Sequence, residues 1–169
     1  MTLASEKTLV LSAEQVHQKI KRIAFEILES NFDVKELVLI GVDGQGHVLA
    51  HLLQKELKGI APWPVTLGRV VVDKAALTQP DVSLDVEVKS LRKKAIVLVD
   101  DVLNTGKTLA FALRPFLSIE IKKIQVAVLV NRSHSQYPMQ PSFTGFELAT
   151  TLKDHVEVVL GKNSAVYLT

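Results

Sequence analysis

The sequence predicts an α/β domain with a parallel sheet flanked by helices. Two observations carry that expectation. The branched apolar runs Leu37 to Val42, Ala95 to Val99 and Ile124 to Val130 are too short for typical helices, and they match strands buried on both faces. Helical patterns lie between them at crossover spacing, which implies parallel neighbours joined by right-handed connections.

Taken in order, Leu9-Val10-Leu11 is a short apolar entry segment. Ser12 and Gln15 have the spacing of a capping box, and Val16, Ile20, Ile23, Ala24, Ile27 and Leu28 recur at helical intervals to about Ser30. His17, Lys19, Lys21, Arg22 and Glu26 occupy the other, solvated face. The run Leu37 to Val42 leads into Asp43-Gly44-Gln45-Gly46, a strand-end glycine turn, and a helix is expected from Val48 to Leu57, stopped by Gly59. Val65 to Val72 is the next strand, with Arg69 within it. Asp73 to Val88 is irregular, although Val82, Leu84, Val86 and Val88 alternate like a hairpin arm. Lys89 to Lys94 is a basic connection. A helix opens near Thr108, with Leu109, Ala112, Leu113 and Phe116 on one face and Pro115 shortening it. Phe143 to Leu148, Val156 to Leu160 and Ala165 to Leu168 read as short strands.

The 169 residues fit one domain. At 47% hydrophobic and 22% charged the composition is that of an ordinary globular protein, and no apolar run reaches membrane-spanning length. The first residues lack a signal peptide's basic, apolar and small-residue order, so a cytoplasmic location and no membrane partner are expected. Zero cysteines exclude disulfides and thiolate metal sites. His47 and His51 stand four apart, but no glutamate lies between them and no third ligand is evident. A net charge of +2 permits nucleic-acid contact without demanding it.

The chemistry concentrates in Val97-Leu98-Val99-Asp100-Asp101-Val102-Leu103-Asn104-Thr105-Gly106-Lys107-Thr108. Ligands of open parallel sheets bind beyond the carboxyl ends of the strands. Asn104, Thr105, Gly106, Lys107 and Thr108 form a turn whose backbone N–H groups and hydroxyls suit one phosphate. Asp100 and Asp101 would repel phosphate, so their partners are hydroxyl groups or a hydrated divalent metal on the same ligand. A sugar phosphate meets both requirements. Gly106-Lys107-Thr108 also ends like a P-loop, but Asp101 stands where that motif requires glycine.

This run resembles the signature of type I phosphoribosyltransferases, which use 5-phosphoribosyl-1-pyrophosphate (PRPP). The resemblance implies a Rossmann-like core, about residues 9–131, and a small hood of short strands, about 132–169, in a single domain. It assigns catalytic positions to Asp100 and Asp101 on the ribose hydroxyls and places the 5′-phosphate at Asn104 through Thr108. The pyrophosphate falls at Asp43, Gly44, Gln45 and Gly46, where Gln45 replaces the cation common in active members. Mg is the implied cofactor, carried on PRPP, with Asp100 and Asp101 as its candidate protein ligands. Asp73 to Val88 corresponds to a mobile lid, here short, with Lys74 as the cation in its first half.

Within the family, Asn131-Arg132-Ser133-His134 and Pro138 are similar to the Asp-Arg-Gly-His and Leu-Pro of the PyrR branch, pyrimidine-operon attenuation regulators that are also uracil phosphoribosyltransferases. Arg22-Ile23-Ala24 with Glu26 matches as well. Arg132 and His134 then belong to the base pocket, uracil is the expected base, and a homodimer is expected. The alternatives are an RNA-binding regulator, using Lys19, Lys21, Arg22 and Lys153, and a degenerate member that binds ribose phosphates without catalysis.

Overall fold

The computed structural model describes residues 6–78, 81–151 and 153–169. A six-stranded sheet forms its centre. Its strands are β2 (Leu37–Val42), β3 (Val65–Val71), β4 (Ser83–Leu84), β5 (Ala95–Leu103), β6 (Lys123–Asn131) and β7 (Phe143–Glu147), in the order β4-β3-β2-β5-β6-β7. All neighbours are parallel except β4, which runs antiparallel to β3. A second, antiparallel sheet contains β1 (Thr8–Leu11), β9 (Ala165–Leu168) and β8 (Val156–Val159) in that order.

Every residue of β2 is buried, because helices cover both faces of the sheet. One face carries α1 (Ala13–Ser30) and α2 (Gln45–Lys58), and the other carries α3 (Lys107–Ala112) followed by a 3-10 turn, Arg114–Ser118. Leu37, Leu39, Val97 and Val99 point into the first layer, while Val38, Ile40, Ile96 and Leu98 point into the second with Phe116.

The first helix starts where the sequence predicts. The Gln15 backbone N–H donates to Ser12 Oγ (3.3 Å), and the Ser12 N–H donates to Gln15 Oε1 (2.9 Å). Val16, Ile20, Ile23, Ala24 and Ile27 are its buried stripe. Pro115 sits at the start of the 3-10 turn and ends α3 after six residues.

Four expectations need correcting. Phe143–Glu147 is not part of the hood; it extends the main sheet beside β6, with Ala127 opposite Phe143. The entry segment, conversely, is a hood strand, because β1 pairs with β9. The central strand does not end at the acids: β5 runs on to Leu103 and keeps pairing with β6. Helix α2 begins at Gln45 rather than Val48, so the glycine turn is the first turn of the helix. In the irregular segment only Ser83–Leu84 pairs as a strand, and Gln79 and Pro80 lie outside the described residues.

Candidate active site

Strands β2 and β5 are parallel neighbours, so the turns that follow them emerge at one edge of the sheet. Asp100 is on β5 with only 4% of its surface exposed, and its Oδ1 accepts the Asp101 N–H at 2.9 Å. Burial pushes its carboxyl well above the usual carboxylate range. The neighbouring Asp101 adds to that shift, and the Lys74 ammonium acts against it.

Where β5 gives way to α3, residues Val102 to Leu109 line a cup of about 40 Å³, the scale of one small anionic group. Gly106 turns the chain with a φ of 86°, a conformation open to glycine at no steric penalty. The Lys107 N–H is close to Thr105 Oγ1 (3.3 Å), and the Lys107 ammonium lies 5.6 Å from the centre of the Phe111 ring. The cup is held from outside. Both Gln136 and Tyr137 donate backbone N–H bonds to the Thr105 carbonyl at 2.9 Å, and Met139 packs against Gly106.

The glycine turn meets the acids directly. Gly46 lies so close to Asp100 that a Cβ there would stand 2.8 Å from its Oδ1 and 3.0 Å from the Val99 carbonyl oxygen. Gly44 is the N-cap of α2, and Asp43 is exposed beside it. The Gln45 side chain turns away from the turn toward the hood, where its Oε1 accepts the Leu160 N–H at 2.9 Å. Arg69 reaches the turn from β3, with its Nε 3.5 Å from Asp43 Oδ1. Motif comparison had no reason to select Arg69; the signal available was a lone cation in an apolar strand.

Arg132 and His134 border a cleft of about 420 Å³ with Ser133 and residues Glu147 to Thr150. A second cleft, of about 390 Å³, lies on the other side of this segment and includes Asn104, Asn131 and Met139. Arg132 is more tightly engaged than a base-pocket residue need be. It donates to Asn104 Oδ1 (2.9 Å), Thr150 Oγ1 (2.9 Å), the Thr151 carbonyl (3.2 Å) and the Asp154 carbonyl (2.7 Å). It thus ties the turn after β5 to the segment before β8. His134 Nε2 lies 2.9 Å from the Thr150 carbonyl oxygen. The Asp154 carboxyl is held below the usual range mainly by the Thr151 N–H, with Arg132 and His134 assisting.

The candidate RNA face is also partly engaged. Arg22 bonds Glu26 (2.7 Å) and the Thr144 and Gly145 carbonyls of β7, and the Lys19 ammonium lies 5.9 Å from the centre of the Phe146 ring.

The glycine turn after β2, the acidic pair of β5 and the cup beyond it lie together at one edge of the sheet. A profile of the phosphoribosyl transferase domain matches residues 10–159, and the chain belongs to that family. Among its relatives is the bifunctional protein PyrR of Staphylococcus epidermidis, 33% identical over 160 residues, covering 90% of this chain and 91% of that protein. Another is that of Pelotomaculum thermopropionicum, 33% identical over 165 residues, covering 94% and 91%. The fold matches solved structures of more distant members. A hypoxanthine-guanine phosphoribosyltransferase from Bacillus anthracis superposes with a TM-score of 0.69 at 22% identity, covering 85% of this chain and 84% of that one. The hypoxanthine phosphoribosyltransferase of Trypanosoma cruzi with IMP gives 0.72 at 20% identity, covering 85% and 80%.

Proposed function

We propose that this chain binds PRPP and transfers its ribose 5-phosphate to a pyrimidine base, with uracil as the first candidate. The observation that supports this reading is the close approach of Gly46 to Asp100, which brings the glycine turn after β2 against the acidic pair of β5, the strand that leads into the cup of Val102 to Leu109. The cup takes the 5′-phosphate through its backbone N–H groups and the hydroxyls of Thr105 and Thr108. Asp100 and Asp101 accept hydrogen bonds from the ribose 2′- and 3′-hydroxyls. With the sugar held at both ends, C1 is presented to the base as pyrophosphate departs, so the residues act chiefly by positioning. Arg132 and His134 place the base from the cleft between β6 and the hood connection.

The acidic residues fit Mg carried in on the ligand. Asp100 and Asp101 are adjacent carboxylates, and Mg that arrives on substrate phosphates takes one or two carboxylates from a protein. Partly exposed Asp101 is better placed than buried Asp100. When bound, the ion neutralises the departing pyrophosphate.

An RNA-binding role has less support, because Arg22, the centre of the candidate patch, uses its guanidinium on Glu26 and the β7 backbone. Calorimetric titration with Mg and PRPP tests the proposal. The wild-type chain binds, and the D100N/D101N double variant does not. Incubation with PRPP, Mg and each free nucleobase then identifies the acceptor; formation of no nucleotide with any base would remove the transferase reading.

A further inference from the structure

The pyrophosphate turn assigned above has the wrong charge for its ligand. Its first residue, Asp43, is a carboxylate with 51% of its side chain exposed, at the place meant for the most anionic part of PRPP. Gln45 does not help, since its side-chain oxygen is held by the Leu160 N–H in the hood. Among the other cations, Lys107 lies by Phe111 at the phosphate cup and Lys74 adds to the electrostatic field at Asp100.

We propose that Arg69 is the pyrophosphate-binding cation of this protein, with Asp43 as the residue that aims it. The inference rests on the PRPP reading. Arg69 lies opposite Gly41 in the register of β2 and β3, one strand over from the turn, and the Asp43 N–H is tied to the next residue's carbonyl, Val70, at 2.8 Å. Its backbone is fixed on the other side too. The Arg69 N–H donates to Asp85 Oδ1 (2.7 Å), and the Asp85 N–H donates to the Arg69 carbonyl (3.1 Å). The residue is therefore clamped between the pyrophosphate turn and the arm that leads back from the lid.

The geometry of the ion pair supports the role. Asp43 meets Arg69 at Nε, and the guanidinium's two terminal NH₂ groups have no partner among the described residues. They form the fork that binds phosphate oxygens in bidentate fashion. At 3.5 Å, with the side chains 45% and 51% exposed, the pair contributes little to stability and leaves the guanidinium open to an incoming ligand. Its effect is to cancel the charge of Asp43 and orient a fork over the turn. Gln45, freed from supplying charge, instead fastens the hood to the same turn.

The test titrates the full chain separately with magnesium pyrophosphate and with ribose 5-phosphate. Wild type binds both. R69Q loses roughly tenfold or more in pyrophosphate affinity, the loss of a charge-assisted bidentate contact, with ribose 5-phosphate unchanged. If R69Q fails to fold, R69K carries the test: it keeps the charge without the fork, and its pyrophosphate affinity falls several-fold while ribose 5-phosphate still binds. Wild-type pyrophosphate affinity in a folded R69Q or R69K that binds ribose 5-phosphate overturns the Arg69 assignment and leaves the PRPP reading standing. Failure of the wild-type chain to bind ribose 5-phosphate overturns the PRPP reading itself, and this inference with it.

Discussion

Gly46 and Asp100 are packed so closely that one methyl group on the glycine would fall 2.8 Å from the carboxylate oxygen and 3.1 Å from the Asp100 Cα. The first turn of α2 thereby rests on the acidic end of β5 with no side chain between them. An alanine at position 46 must lift the turn or turn the Asp100 carboxylate, and overpacking of this kind costs about 1–3 kcal/mol. G46A is expected to lose stability within that range. It should also weaken Mg-PRPP binding by more than it weakens ribose 5-phosphate binding, because the pyrophosphate turn moves most. Denaturant melts and paired titrations check both.

The pH dependence of stability follows from Asp100. Burial first, and Asp101 second, make its carboxyl bind a proton more tightly in the folded chain than in the unfolded one. The native state therefore holds more protons between the unfolded value and the raised folded value, so stability falls as pH rises through that window. Below the window both states are protonated and the effect is absent. D100N removes the titrating group while its side-chain oxygen can still accept the Asp101 N–H. The variant is expected to melt higher than wild type near neutral pH and at the same temperature near pH 3, while losing PRPP binding. Thermal melts across pH measure the difference; a variant less stable than wild type at neutral pH contradicts the sign.

The fold was legible where its determinants are local. Ser12 and Gln15 announce the start of α1 because a capping box is complete within four residues. The buried strands announce themselves because a strand covered on both faces needs apolar residues at every position. What sequence could not reveal is pairing between distant segments. Phe143–Glu147 resembles the later hood strands in length and composition, yet it pairs with β6. Thr8–Leu11 finds its partner at the opposite end of the chain. In the candidate site, Asp100 through Thr108 stand out in the sequence because the acids and the turn are contiguous with an apolar strand. The roles of Gln45 and Arg132 do not, since their partners lie 115 and up to 28 residues away.

Arg22 tests whether its helix face is structural. Its guanidinium bonds two carbonyls of β7, the outermost strand of the main sheet, with Glu26 holding it from the same helix. R22M keeps much of the aliphatic stem but leaves those carbonyls to water. The expected loss is about 1–2 kcal/mol, the scale of a partly exposed charge-assisted contact. Faster amide exchange in β7, with PRPP affinity unchanged, would accompany it. A neutral melt would free Arg22 for another role.

Arg132 is the better guarded link between chemistry and fold. Only 8% of its surface is exposed, and its donors reach Asn104 in the phosphate turn and Thr150, Thr151 and Asp154 in the hood connection. Removing the guanidinium strands several acceptors at once, and a partly buried acceptor left without a donor costs about 1–3 kcal/mol. R132M is therefore expected to destabilise the chain by about 3 kcal/mol or more. R132K should recover only part of this, because an ammonium is a compact point charge that cannot reproduce the planar fork. If the residue joins the turn to the hood, faster amide exchange will appear at Thr150, Thr151 and Asp154 before it appears in β5. Affinity for ribose 5-phosphate should fall as Asn104 loses its anchor. Lost base binding with the hood's exchange rates and the melting temperature unchanged would show instead that Arg132 acts only as a ligand contact.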